Sequence, residues 1–142
     1  MKRARTAFMR RAGKKDGPNH DVEDLEAFAR GLHAERGSVI MFPEGHTFDG
    51  IPSEGYRHVL KPKTRGPQAM LRNAPDHAVL FVTSVWHDYD SRKGQYLATI
   101  PPGTKVTVHA RVVHRPDPER IGEWLPAAWA EMDRLIEEGR RK

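Results

Sequence analysis

The chain has 142 residues, 37% of them hydrophobic and 30% charged, with a net charge of +5; that length supports one domain with a core drawn from few apolar side chains. It has no cysteine, which excludes disulfides, thiolate metal sites and a cysteine nucleophile. No apolar run approaches the roughly 18 residues of a membrane-spanning helix, and the basic amino terminus lacks the apolar core of a signal peptide.

Taken in chain order, the first feature is a charge block. Lys2, Arg3, Arg5, Arg10, Arg11, Lys14 and Lys15 all precede the first acid, Asp16, so this end favours anionic partners or is a solvated terminus. Thr6 to Met9 reads as a short strand leading into Arg10 and Arg11, and residues 13–19 read as a loop around Gly17-Pro18. Asp21 is placed to cap a helix running to about Arg36, with Val22, Leu25, Ala29 and Leu32 on one face. Gly37 then falls at its C′ position. A continuous apolar run, Val39 to Phe42, stops at Pro43, Glu44 and Gly45. That pattern predicts a buried strand delivering Glu44 into a tight loop beyond its carboxyl end, where open α/β sheets keep their ligands.

Residues 43–62 form a long loop of the working kind. A short helix is expected near Pro67–Arg72, then a strand over Ala78–Trp86. Residues 87–103 are polar and end in the turn Pro101-Pro102-Gly103. Val106, Val108, Ala110 and Val112 alternate with Lys105, Thr107, His109 and Arg111, which predicts a half-exposed strand with His109 on the solvent side. The last element opens at Asp117-Pro118-Glu119, a cap followed by proline in the first turn. Ile121, Trp124, Leu125, Ala128, Trp129, Met132, Leu135 and Ile136 give it an apolar face, and Pro126 is expected to break or kink it. Its opposite face carries Glu123, Glu131, Asp133, Glu137 and Glu138. Anionic lipid would repel that face, so the helix is expected to pack on the sheet.

The chemistry-bearing residues are few. Glu44 is a candidate general base or acceptor for a substrate hydroxyl, with a loop anchor as the plainer role. Arg10, Arg11, Lys14 and Lys15 suit a phosphate, as does the second basic cluster, Lys61-Pro62-Lys63-Thr64-Arg65-Gly66, just ahead of a helix. The glycine spacing of a nucleotide-binding loop is absent. The eight histidines have no metal-ligand spacing, and no Gly-x-Ser-x-Gly elbow is present. His46 and His58 flank the loop after Glu44 and read as solvent-facing, with a local acid or base as the alternative role.

Several of these segments together resemble the glycerophosphate and lysophospholipid (1-acylglycerol-3-phosphate) acyltransferases. Phe8-Met9-Arg10-Arg11 is similar to the family's arginine motif, Phe42-Pro43-Glu44-Gly45 to its acceptor-binding motif, and Leu60 to Gly66 to a Leu-x-Pro-[Arg/Lys]-Thr-[Arg/Lys]-Gly branch signature. Val79 to Thr83 takes the place of the apolar fourth motif. The resemblance covers roughly residues 6–90. It implies that Arg11 contacts phosphate, that Phe42, Pro43, Glu44 and Gly45 shape the acceptor pocket, and that Lys63 and Arg65 assist. The family's catalytic His-x4-Asp has no counterpart, since no histidine here is followed by aspartate at that spacing. Thr47 also stands where the family usually has an arginine.

The resemblance therefore implies an α/β domain, helices packed on a twisted mixed sheet, forming the carboxyl-terminal part of an acyltransferase. Residues 6–90 bear the motifs, and residues 104–142 add a strand and an amphipathic helix. The implied reaction moves an acyl group from acyl-CoA or acyl-carrier protein, with no other cofactor, to a lysophospholipid or glycerol phosphate, in phospholipid biosynthesis or remodelling. Without a catalytic base the chain alone is expected to be inactive, or to be a non-catalytic binder of lysophospholipid or anionic membrane. Its expected location is the cytoplasm, peripheral to the inner face of the membrane. Despite a pI of 9.7, no nucleic-acid motif is present and no nucleic-acid partner is expected.

Overall fold

Helix α1 (His20–Ala34) buries Leu25 and Ala29, four residues apart and so on one face. It ends in a Schellman turn: Gly37 N–H donates to Leu32 O at 2.8 Å and Arg36 N–H to His33 O at 3.2 Å. The left-handed residue of that turn is Arg36 (φ 50°), not the glycine expected there. Gly37 sits one place later, where a Cβ would lie 2.8 Å from Leu32 Cδ2. These assignments belong to a computed structural model, which describes residues 20–45, 48, 50–87 and 102–141. Arg11 and the short strand expected at Thr6–Met9 lie outside the described residues.

Helix α2 (Arg65–Asn73) covers the helix expected at Pro67–Arg72. Its Met70 joins Leu25 and Ala29 in one buried cluster, flanked by Phe28, Leu32 and Met41. Strands β1 (Val79–Trp86) and β2 (Val106–Val113) pair antiparallel, with Val79 opposite Val113 and Trp86 opposite Val106. A single 3-10 turn, Pro118–Arg120, is capped by Asp117, whose side chain accepts from Glu119 N–H at 2.9 Å. Helix α3 (Ile121–Arg140) follows and runs through Pro126 unbroken. The proline lies in the second turn, where it removes only the bond to Gly122 O.

Helix α3 packs on β1. Phe81 meets Trp124 and Trp129 edge-on at centroid distances of 6.2 and 6.3 Å, an arrangement that aromatic quadrupoles favour. Val59, Ile121, Leu125 and Trp129 form the larger buried cluster, with Tyr56, Leu71, Met132 and Ile136 against it. At the far end a Cβ on Gly139 would overlap Val85, so the glycine lets helix and strand approach.

Helices on a sheet are thus present, and the described sheet is two antiparallel strands, smaller than the twisted mixed sheet expected. Three further sequence expectations need correction. Val39–Phe42 carries no strand: Ile40 is 84% and Phe42 80% exposed, and only Met41 turns inward. An apolar run marks burial only if a partner covers it, and no backbone partner for residues 38–41 exists among the described residues. In β2 the apolar residues point away from α3, while Thr107 and His109 on its other face are half-buried. His109 is therefore on the α3 side, near Glu131, rather than on the solvent side. His58, expected to face solvent, leaves only 9% of its side chain exposed. No helix among the described residues is long and apolar enough to cross a membrane.

Candidate functional site

The turn after Phe42 is built by short-range hydrogen bonding and one glycine. Gly45 N–H donates to Phe42 O at 3.1 Å, and Gly45 holds φ at +75°, which L side chains resist. Lys63 N–H donates to Pro43 O at 2.9 Å, tying the turn to the approach of α2. The Lys63 side chain then lies over the glycine, so close that a Cβ there would be 2.9 Å from Nζ. Glu44 is held from the other side, where Trp129 Nε1–H donates to its Oε1 at 3.0 Å. One carboxylate oxygen is thus fixed by the indole. Among the described residues the side chain has no other partner, which leaves Oε2 to accept a hydroxyl.

Pro43, Glu44, Gly45 and Lys63 are therefore brought together. Phe42 is at the turn but mostly exposed, lying on the rim. Arg65 opens α2, exposed, on a helix with no acid in its first turn and no side-chain cap from Thr64. Neither Lys63 nor Arg65 has an ion-pair partner among the described residues. With the backbone N–H groups that open α2, they make this side of the turn electropositive.

Helix α3 holds the rest of the loop through one face, at four-residue steps from Trp129. Asp133 accepts from the backbone N–H of Arg57 at 3.1 Å and of His58 at 2.7 Å. Glu137 Oε2 lies 2.6 Å from His58 Nε2, and Glu137 Oε1 accepts from Arg141. These contacts, His58 first, hold the Glu137 carboxyl down at about 2. Arg140 Nη1 is 3.2 Å from His58 Nδ1. A guanidinium only donates, so Nδ1 accepts and Nε2 carries the proton given to Glu137. Both imidazole nitrogens are occupied, so His58 serves as a clamp and not as a base. Val59, next in sequence, is buried in the main core.

Trp129, Asp133, Glu137 and Arg140 were not legible as site residues. Trp129 reads as core and the two acids as a solvated face, and only their common spacing of four was a signal. Among the described residues no group of three or more histidine, aspartate or glutamate side chains is arranged to hold a metal. An open pocket of about 250 Å³ lies at the start of α3, lined by Val113, Pro116, Asp117, Arg120, Glu123 and Trp124. It contains no residue of the Glu44 turn.

Comparison with protein-family models, with curated proteins and with solved structures finds no match to this chain.

Proposed function

We propose that the chain is a phospholipid acyltransferase-like domain that binds the phosphorylated acyl acceptor, a lysophospholipid or glycerol phosphate, at the Pro43–Gly45 turn. The observation carrying this reading is that Glu44, fixed by Trp129, and the Lys63 ammonium, without an ion-pair partner among the described residues, meet at one glycine turn. Oε2 of Glu44 accepts an acceptor hydroxyl, and Lys63, with Arg65, faces the phosphate; the acyltransferase resemblance assigns Arg11, outside the described residues, to the phosphate as well. Such charge-assisted bonds are the stronger ones in protein recognition. Within the wider reading the domain works at the cytoplasmic face of a membrane.

Acyl transfer requires the hydroxyl oxygen to attack the thioester carbonyl of acyl-CoA or acyl-carrier protein as a base takes its proton and the thiol leaves. The His-x4-Asp pair is absent, and His58 is engaged at both nitrogens. The isolated chain is accordingly a binder with no turnover of its own. Calorimetric titration with lysophosphatidic acid, in parallel with a thiol-release assay on acyl-CoA, tests this. Binding is expected to weaken about tenfold in Lys63→Ala and in Glu44→Gln, as loss of one charge-assisted hydrogen bond requires, with no thiol release above background. Equal binding of uncharged monoacylglycerol, or no effect of either substitution, overturns the proposal.

A further inference from the structure

The outer face of the β1–β2 sheet carries Leu80, Val82, Ser84 and Trp86 opposite Val112, Ala110, Val108 and Val106. No charge occurs among these eight residues. Leu80 is 58%, Val82 52%, Val108 60% and Val112 50% exposed. With Val106 they present on the order of 400 Å² of contiguous apolar surface, as large as the biggest patch on an ordinary monomer. We propose that this face is the interface of a weak homodimer, two copies stacking their outer sheet faces across a two-fold axis.

Charge and shape select this occupant. A face that seats on anionic lipid carries cations around its apolar centre. Here Arg111, which alternates with the outward residues, belongs to the other side and lies over Phe81 at 5.1 Å. Among the described residues a second copy brings no charge to the centre of the contact, so the net charge of +5 does not oppose close approach there. Ala110 and Ser84 are small and sit between Leu80, Val82, Val108 and Val112. Side chains of one copy can therefore fill the dents of the other, as an isologous contact requires, at the ordinary spacing of stacked sheets. Two such faces with their rims bury about 1,000 Å² in total, the lower limit for a specific interface, so the dimer is reversible with a dissociation constant in the micromolar range.

Sedimentation velocity over a concentration series tests it. The wild type is expected to pass from monomer to dimer and stop there, while Leu80→Glu and Val108→Glu remain monomeric with unchanged circular dichroism. The chain has no cysteine, so a second test is independent of those variants' folding. Ser84→Cys, at the centre of the face, is expected to cross-link under mild oxidation, and Ala127→Cys, on the exposed side of α3, is not. A wild type monomeric at every concentration overturns the proposal. So do assemblies that grow without limit, dimers that persist in folded glutamate variants, equal cross-linking of both cysteine variants, and monomers that bind uncharged lipid vesicles instead of each other.

Discussion

Two backbone positions show how single residues set this chain's local geometry. Arg36 takes the left-handed conformation (φ 50°) that closes α1, a state that costs an L residue about 1 kcal/mol and glycine almost nothing. Arg36→Gly should therefore raise stability by up to about 1 kcal/mol, since the gain is partly offset by added freedom in the unfolded chain. Urea unfolding monitored by tryptophan fluorescence measures it. Gly45 is the opposite case. Its φ of +75° makes Gly45→Ala unfavourable by about 1–2 kcal/mol. The new methyl would also push Lys63 Nζ off the turn, so lysolipid binding should fall more than the stability loss explains. The same urea series and a titration on the folded variant separate the two effects.

At the scale of elements, α3 is both the cover of β1 and the support of the site loop. Asp133 ends two loop N–H groups, so Asp133→Ala should cost about 1–3 kcal/mol, the range for leaving hydrogen-bonding groups unpaired. Amide exchange at Arg57 and His58 should accelerate more than at Val85, in the sheet. Glu137 supplies a pH dependence of known sign. Its pKa is lowered from 4.5 to about 2 by His58 and then Arg141. The stabilisation is complete above 4.5 and is lost as the pH falls towards 2, because there the unfolded chain takes up a proton that the folded chain refuses. Thermal unfolding across that window should show a steeper acid limb for wild type than for Glu137→Gln.

The same elements show what the sequence can disclose. Helix α2 and both strands lie within two residues of their expected limits because each is a local period bounded by proline, glycine or a cap. The segment Val39–Phe42 misled because an apolar run records burial without naming a partner. The contacts of Asp133 and Glu137 to the loop join residues 75 to 79 positions apart, a separation that no local pattern spans. Glu44 stood out by its place after Phe42-Pro43, whereas the indole that fixes it lies 85 residues further on.

At the scale of the whole molecule, the described residues give the sheet one face covered by α3 and one exposed apolar face, with a carboxylate–lysine turn held on the helix that covers the first. The two surfaces use different chemistry, uncharged and apolar on the outer sheet, polar and electropositive at Gly45, Lys63 and Arg65. Association through one should leave the other open. The central claim is that a phosphorylated lysolipid occupies the Glu44 turn, and the Trp129 indole N–H, bonded to Glu44 Oε1, is its nearest reporter. The deciding measurement is a proton–nitrogen correlation spectrum recorded during titration with lysophosphatidic acid below its micelle concentration. The account predicts saturable shifts of the Trp129 indole and of the Gly45, Lys63 and Arg65 amides, with Leu80 and Val108 unmoved. Shifts confined to the outer sheet face, or none at the indole when the lipid saturates, would contradict it.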